Sequence, residues 1–122
     1  MTNHPRSYLM PPFAESLVEE ILSSKSVAIL FDHHLNYAVV NEIACERLNK
    51  DASELIGKSI FDVFPDNIAS GNHRNLLKAL NGETIHEKLI STLSNKRFHI
   101  VYEPVFEDGK IIGVLTKADL LK

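Results

Sequence analysis

The stretch "ELIGKSIFDVFPDN", Glu54 to Asn67, holds many core-type side chains but fits no long regular element. Gly57 interrupts its apolar residues and Pro65 ends them, which prevents one continuous helix or strand. We therefore expect several short turns that lie over one face of a larger element. The large apolar residues of the stretch are Leu55, Ile56, Ile60, Phe61, Val63 and Phe64.

Composition indicates one compact domain with a substantial core. The chain has 122 residues, of which 44% are hydrophobic and 24% charged, and its net charge is −3. Without a basic stripe, we expect no nucleic-acid binding by this chain. The single cysteine, Cys45, excludes an internal disulfide and indicates a reducing compartment.

The longest apolar runs are much shorter than the roughly 20 residues that span a bilayer, and the N-terminus lacks the apolar region of a signal peptide. These features predict a cytoplasmic protein, or the cytoplasmic part of one, with no direct membrane contact.

The first half of the chain predicts a helix, a strand pair and several short helices. Pro11 and Pro12 suit the first turn of an amphipathic helix over residues 13–24. "SVAILFD" and "YAVVN" predict a hairpin, after which Asn41 stands at a helix N-cap. A longer helix, "SGNHRNLLKALNGE", ends at Gly82.

Everything after Gly82 is rich in β-branched and aromatic residues and predicts three strands. Asn95 marks one turn, and Asp108-Gly109 gives a strong hairpin signal for the next. Two strands, then helices, then three consecutive hairpin strands predict an α+β fold. Its core is a five-stranded antiparallel sheet with short helices on one face, preceded by an N-terminal amphipathic helix.

The order of these elements resembles the PAS domain of bacterial signal-transduction proteins. Asp32 and Asn41 match the opening of that family, and "ELIGKSIFDVFP" and "LLKALNGE" resemble its middle segments. "EPVFEDGKIIGVLTKADL" resembles its last hairpin, with Gly113 at the expected place, although Leu120 and Leu121 replace the usual Ile-Thr after Asp119. The resemblance covers residues 26–122, and we expect residues 1–25 to be a lead-in and flanking helix.

The resemblance implies a sensory or regulatory domain whose sheet and short helices enclose a ligand cavity. The chain ends where the family continues into a connector helix, so we expect a fragment of a larger protein. The full-length contexts we expect are a GGDEF diguanylate cyclase and a sensor histidine kinase. Alternatives are a dimerisation scaffold with a filled core and, less favoured, a small cavity-based enzyme.

Strand alternation and helix period give a candidate ligand site whose residues would otherwise simply fill the core. Tyr102 and Thr116 are the polar groups best placed to orient a ligand, and the apolar walls favour an apolar or aromatic molecule. The expected site residues are Phe61, Phe64, Leu76, Leu77, Leu80, Phe98, Ile100, Tyr102, Val114 and Thr116.

The N-terminal helix resembles the flanking helix through which this family often dimerises, although packing on its own domain is an equal alternative. We expect a homodimer through this helix, with an output domain as the further partner. The apolar residues of the expected dimer contact are Phe13, Leu17, Val18, Ile21 and Leu22.

Cofactor and catalytic signals are weak. His33 and His34 are adjacent on a predicted turn and do not predict a metal site. Haem-binding PAS domains take their axial histidine from the helix that contains His73, but its polar neighbours Asn72, Arg74 and Asn75 indicate a solvent-facing surface. Cys45 lies outside the position of a flavin-reactive cysteine. We expect no cofactor, no metal and no catalytic residues, with haem through His73 as the minor alternative.

Overall fold

A computed structural model describes residues 13–90 and 95–121 of the chain. Within these residues, helices and strands follow the predicted order, with four short or medium helices between the second and third strands. The elements are α1 (Glu15–Ser23), β1 (Val27–Asp32), β2 (Tyr37–Val40), α2 (Glu42–Leu48), α3 (Ala52–Leu55), α4 (Ile60–Val63), α5 (Asp66–Leu80), β3 (Ile85–Ile90), β4 (Arg97–Glu107) and β5 (Lys110–Leu120).

The five strands form one antiparallel sheet in the spatial order β2-β1-β5-β4-β3. The central strand is β5, the last strand of the chain, and its neighbour β1 is the first. β3 is an edge strand that pairs only with β4 in this sheet. This arrangement confirms the predicted α+β class with a five-stranded antiparallel sheet.

The predicted turns have the expected backbone. Asp108 and Gly109 both have positive φ, at 51° and 79°, as a two-residue hairpin turn of type I′ requires. Asn95 also has positive φ, at 55°, and is the first residue of the described range 95–121. Asparagine tolerates this left-handed region better than most residues because its short side chain bonds locally.

The sheet has an inner face, covered by α2–α5, and an outer face, on which α1 packs. Buried residues form one cluster on each side of the sheet. The inner cluster combines the side chains of the short helices with alternate residues of all the strands. The outer cluster joins α1 to β1, β2 and β5. Burial on both faces explains why β1 and β2 are almost continuously apolar.

The stretch from Glu54 to Asn67 forms the predicted short turns on the inner face. Asp51 and Ser59 begin α3 and α4, each with a capping box that satisfies free backbone N–H groups. Gly57 has a φ of 84° between these helices, and its N–H donates to the Tyr37 carbonyl oxygen at 2.8 Å. The glycine therefore permits the reversed turn that ties the stretch to β2.

Asn41 occupies the predicted N-cap of α2 and also connects two other segments. Its Oδ1 accepts hydrogen bonds from the backbone N–H groups of Ala44, at 2.9 Å, and of Ala28, at 3.3 Å. Its Nδ2 donates to the Ser26 carbonyl at 2.7 Å. One side chain thus joins the start of α2 to the start of β1.

The N-terminal helix uses much of its apolar face within its own chain. Phe13, Val18 and Ile21 are buried against the outer face of the sheet, while Leu17 and Leu22 are half-buried. Within the described part of the chain, no helix is long and apolar enough to cross a membrane.

A candidate ligand site between helix α5 and the sheet

A transverse row of side chains on the inner face places Thr116 beside Tyr102. The strand registers pair Val40 with Ile29, Ile29 with Thr116, Thr116 with Tyr102, and Tyr102 with Ile85. Directly paired residues of antiparallel strands point to the same face. The four apolar or aromatic members of this row belong to the inner cluster or pack on it, so Thr116 also faces α5.

Tyr102 is bonded to helix α5. Its hydroxyl donates to Oδ1 of Asn72 at 2.7 Å, and Nδ2 of Asn72 donates to the Ile68 carbonyl oxygen at 3.1 Å. The second bond fixes the orientation of the Asn72 amide, because only the nitrogen can donate to a carbonyl. The acceptor of the Tyr102 proton is therefore the amide oxygen.

A second bond between α5 and the sheet lies beside the first. Nδ2 of Asn75 donates to Oε2 of Glu87, on the inner side of β3, at 3.3 Å. Asn75 is only 8% exposed. The expectation that Asn72, Arg74 and Asn75 form a solvent-facing surface is therefore wrong for Asn75. Arg74 is exposed as expected, and Asn72 is half-buried.

Burial sets the protonation of the tyrosines on this face. It raises the pKa of Tyr102 to about 12, and the nearby Glu87 carboxylate adds to the increase. Burial also raises the pKa of Tyr37 far above its usual range, with Tyr102 as a smaller cause. Both side chains therefore keep their hydroxyl protons at neutral pH and act as neutral hydrogen-bonding groups.

Thr116 has the unsatisfied group of the site. The residue is 8% exposed, and its Oγ1 has no hydrogen-bond partner among the described residues. A buried hydroxyl without a partner costs about 1–3 kcal/mol. Valine would fill nearly the same volume without that cost. Packing alone therefore does not explain a hydroxyl at this position.

A family model described as the PAS fold matches residues 22–118. The chain belongs to the PAS family. The predicted resemblance is thereby confirmed, and the inner face of this PAS domain is the side that its short helices cover. A sequence comparison with proteins of curated function finds no match.

Solved structures of similar fold include a PAS domain and a sensor histidine kinase. The PAS domain of BvgS from Bordetella pertussis is 18% identical, with a TM-score of 0.79 over 88% of this chain and 85% of that chain. A sensory box sensor histidine kinase from Vibrio cholerae is 21% identical, with a TM-score of 0.67 over 88% and 90%.

A third similar structure is the VqmA dimer from Vibrio cholerae, described among LuxR-type receptors that bind DNA. It is 13% identical, with a TM-score of 0.71, and the match covers 90% of this chain but only 52% of VqmA. At these identities the structures show a shared fold.

The PAS domain brings most of the predicted site residues together on the inner face. Phe98, Ile100, Tyr102, Val114 and Leu76 are buried in the inner cluster. Phe64 and Leu80 are half-buried and pack against the same cluster, and Thr116 is buried in the transverse row.

Two predicted residues lie outside this set. Phe61 is 41% exposed and Leu77 is 43% exposed. Each directly follows a buried residue on a helix, Ile60 or Leu76, and consecutive helical residues point about 100° apart. Only one of each pair can face the sheet, so neither Phe61 nor Leu77 closes over it as expected.

The polar groups Asn72, Asn75 and Glu87 were missed by sequence reasoning. A signal for Asn72 exists in the sequence: Ala69, Asn72, Leu76 and Ala79 follow the helical spacing of three and four residues. A polar residue inside an otherwise apolar stripe marks a buried hydrogen bond. Glu87 likewise alternates with Ile85 and Leu89 on the inner side of β3.

The remaining candidate groups lie away from this site. The His73 ring packs edge-on against Phe61, with 4.9 Å between ring centroids. His86 and His99 face the outer side, where Nδ1 of the first lies 3.1 Å from Nε2 of the second. His33 and His34 are exposed on the turn after β1.

Cys45 is half-buried beside the inner cluster, and burial raises the pKa of its thiol, with the carboxylates of Asp51 and Glu42 as further causes. Over residues 13–90 and 95–121, no three His, Cys, Asp or Glu side chains come together as metal ligands.

Proposed function

We propose that this PAS domain is a sensory module that binds a small organic molecule between α5 and the sheet. Three facts support the proposal: the family itself, the sensor histidine kinase among the structures of similar fold, and the partly buried polar groups of the inner face. The domain has no catalytic role in this proposal, because a tyrosine with a pKa of about 12 is a poor acid or base at neutral pH.

The unsatisfied hydroxyl of Thr116 is the observation that carries the proposal. Such a group is retained at a cost in stability, which is typical of a functional site rather than of a filled core. A bound molecule that reaches the inner face would give Oγ1 its missing hydrogen bond. Tyr102, the neighbour of Thr116 in the sheet, would contact the same molecule.

The proposed site lies where binding can move an element. Asn72 and Asn75 connect α5 to Tyr102 and Glu87 by hydrogen bonds. A ligand that binds between α5 and the sheet would compete with these bonds. Binding would favour one of two arrangements of α5 on the sheet. β5 carries the effect to Asp119, whose Oδ1 accepts a hydrogen bond from Ser26 Oγ at 2.7 Å, at the junction of α1 and β1.

The flanking helix would then pass the change to an output domain, as in the expected diguanylate cyclase or histidine kinase contexts. The ligand in this proposal is not haem, because the His73 ring packs on Phe61 rather than towards Tyr102 and Thr116.

Native mass spectrometry of the purified domain, followed by small-molecule extraction, tests the proposal. We expect a substoichiometric co-purified compound that is lost in Thr116→Val and Tyr102→Phe and retained in Thr84→Val, a matched substitution at an exposed position before β3. Thr116→Val should also raise the free energy of unfolding of the ligand-free domain by about 1 kcal/mol, since it removes an unsatisfied buried hydroxyl. Lower stability in Thr116→Val, or compound binding that survives both substitutions, would contradict the proposal.

A second candidate is a dimerisation scaffold. Leu17 and Leu22 of α1 remain half-buried after the helix packs on its own sheet, so they are available to a second copy. Both roles can coexist, because the inner face and α1 lie on opposite sides of the sheet.

A further inference from the structure

His86 of β3 and His99 of β4 contact each other on the outer face of the sheet. Nδ1 of His86 lies 3.1 Å from Nε2 of His99, and the planes of the two rings differ by only 13°. The contact is a hydrogen bond in which one ring donates and the other accepts. The two residues are 13 positions apart in the chain, so only the pairing of the strands reveals them as neighbours.

The distance between these two nitrogens suits a shared metal ion as well as a shared proton. An imidazole nitrogen binds a first-row transition ion at about 2.0–2.1 Å, so two such ligands at angles of about 90–110° lie about 2.9–3.4 Å apart. The observed 3.1 Å falls inside this range. Rotation of the two side chains would let an ion bind Nδ1 of His86 and Nε2 of His99, while the other ring nitrogens carry the protons.

The strands hold both histidines in place before an ion arrives. β4 pairs with β3 along the whole of β3, with His86 opposite Val101 and His99 opposite Lys88. Ligands that are pre-organised in this way lose less conformational entropy on binding than ligands on a loop do. His86 is exposed and His99 is half-buried, so an ion can reach the pair from solvent.

The surroundings of the pair favour a transition ion with an open coordination sphere. Lys88 and Asp119 are the direct neighbours of His99 on β3 and β5, and their opposite charges offset each other. In the part of the chain that the structure describes, no third His, Cys, Asp or Glu joins the pair as a ligand. Water would fill the remaining positions. Imidazole suits Cu²⁺, Ni²⁺ and Zn²⁺, whereas Mg²⁺ and Ca²⁺ prefer oxygen ligands.

We propose that His86 and His99 form a two-histidine site for a divalent ion of the Cu²⁺, Ni²⁺ and Zn²⁺ group, and that this ion links β3 to β4. Successive strand residues point to opposite faces, so Glu87 points towards α5, where it accepts a hydrogen bond from Asn75. An ion on the outer face therefore acts on the same edge strand that contacts α5. The site is separate from the proposed ligand site. It replaces the expectation of no metal, which rested on spacing along the chain.

Titration with Cu²⁺, followed by two-dimensional NMR of the isotope-labelled chain, locates the site because this paramagnetic ion broadens the signals of nearby residues only. We expect Cu²⁺ at concentrations comparable to that of the protein to remove the amide signals around the pair, including those of Lys88 and Val101. His86→Asn and His99→Gln should each weaken Cu²⁺ binding at this place more than about tenfold, because each removes one of two ligands.

A second pair of histidines supplies the matched control. His33 and His34 are exposed on the turn after β1, and their rings stand at 86° to each other. His33→Asn with His34→Asn should leave the broadening at β3 and β4 unchanged. Zn²⁺, which is not paramagnetic, should slow amide hydrogen exchange of β3 in the wild type and not in His86→Asn.

Three results would overturn the proposal or part of it. Signals around the pair that persist until Cu²⁺ is in large excess would show an adventitious surface contact only. Broadening that survives both His86→Asn and His99→Gln would place the ligands elsewhere. If Cu²⁺ binds as expected but Zn²⁺ leaves the hydrogen exchange of β3 unchanged, the ion does not link the two strands.

Discussion

At the scale of single residues, the buried side chain of Asn41 connects the start of α2 to the start of β1 through hydrogen bonds. It is 1% exposed, and both ends of its amide are bonded to backbone groups. Asn41→Ala would leave several of these groups without partners. We expect a loss of about 3 kcal/mol in the free energy of unfolding, from the N-cap and the newly unsatisfied groups together.

Urea denaturation measures this loss. Asn67→Ala, at an exposed position in the first turn of α5, serves as the control and should stay within about 0.5 kcal/mol of the wild type. Equal stability of the two variants would show that the bonds of Asn41 are replaced by water.

Tyr102 gives a second prediction at this scale, in the alkaline range. Its pKa is raised to about 12 in the fold, from 10 for an ordinary tyrosine, so the folded state holds the proton more tightly than the unfolded state. The stabilisation is complete below pH 10 and is lost as the pH rises towards 12, by up to about 3 kcal/mol.

Chemical denaturation between pH 9 and 12 tests the sign of this effect. The wild type should lose stability faster with rising pH than Tyr102→Phe, which has no proton to lose at this position. Parallel pH profiles of the two proteins would contradict the burial of this hydroxyl.

At the scale of elements, the sequence predicts helices and strands better than it predicts which polar side chains face inward. Asn41, Gly57 and Asp108-Gly109 act through their own backbone, so their signals are local and could be recognised. Glu87 and Asn75 meet only because β3 lies under α5. A contact of that kind depends on tertiary placement, which no local pattern specifies.

Gly113 lies at a close approach between β5 and β1. A side chain here would collide with the Phe31 carbonyl oxygen of β1 and would lie 3.1 Å from the Phe13 ring. We expect Gly113→Ala to lower the free energy of unfolding by about 2 kcal/mol, because the two strands must separate to admit a methyl group.

Gly71→Ala is the control of opposite sign. Gly71 lies inside α5 with open space around it, and alanine there should stabilise the helix by about 0.5–1 kcal/mol. Thermal unfolding of the two variants should therefore move the midpoint in opposite directions. A shift in the same direction would refute the steric explanation for Gly113.

At the scale of the whole molecule, packing of α1 on its own sheet limits the surface that the proposed dimer contact could use. Phe13, Val18 and Ile21 of the expected dimer contact are buried within the chain, which leaves Leu17 and Leu22 for a partner. If the proposed homodimer forms through this helix, Leu17→Glu with Leu22→Glu should convert it to a monomer that still folds.

Sedimentation velocity over a range of protein concentrations measures this change. Ile21→Ala should instead lower stability by about 2–4 kcal/mol while leaving the association constant of the folded protein unchanged. A monomeric wild type at high concentration, or a dimer that survives both glutamates, would exclude this surface as the interface.

The central position of β5 has a consequence for synthesis of the protein. Ser26 and Asp119 are hydrogen-bonded although 93 residues separate them in the sequence, and β1 has β5 as its neighbour along its whole length. During translation β1 and β2 emerge long before β5, and β1 keeps an open apolar edge until β5 has left the ribosome. Such long-range pairing slows folding. The nascent chain should therefore depend on chaperones until its final strand closes the sheet.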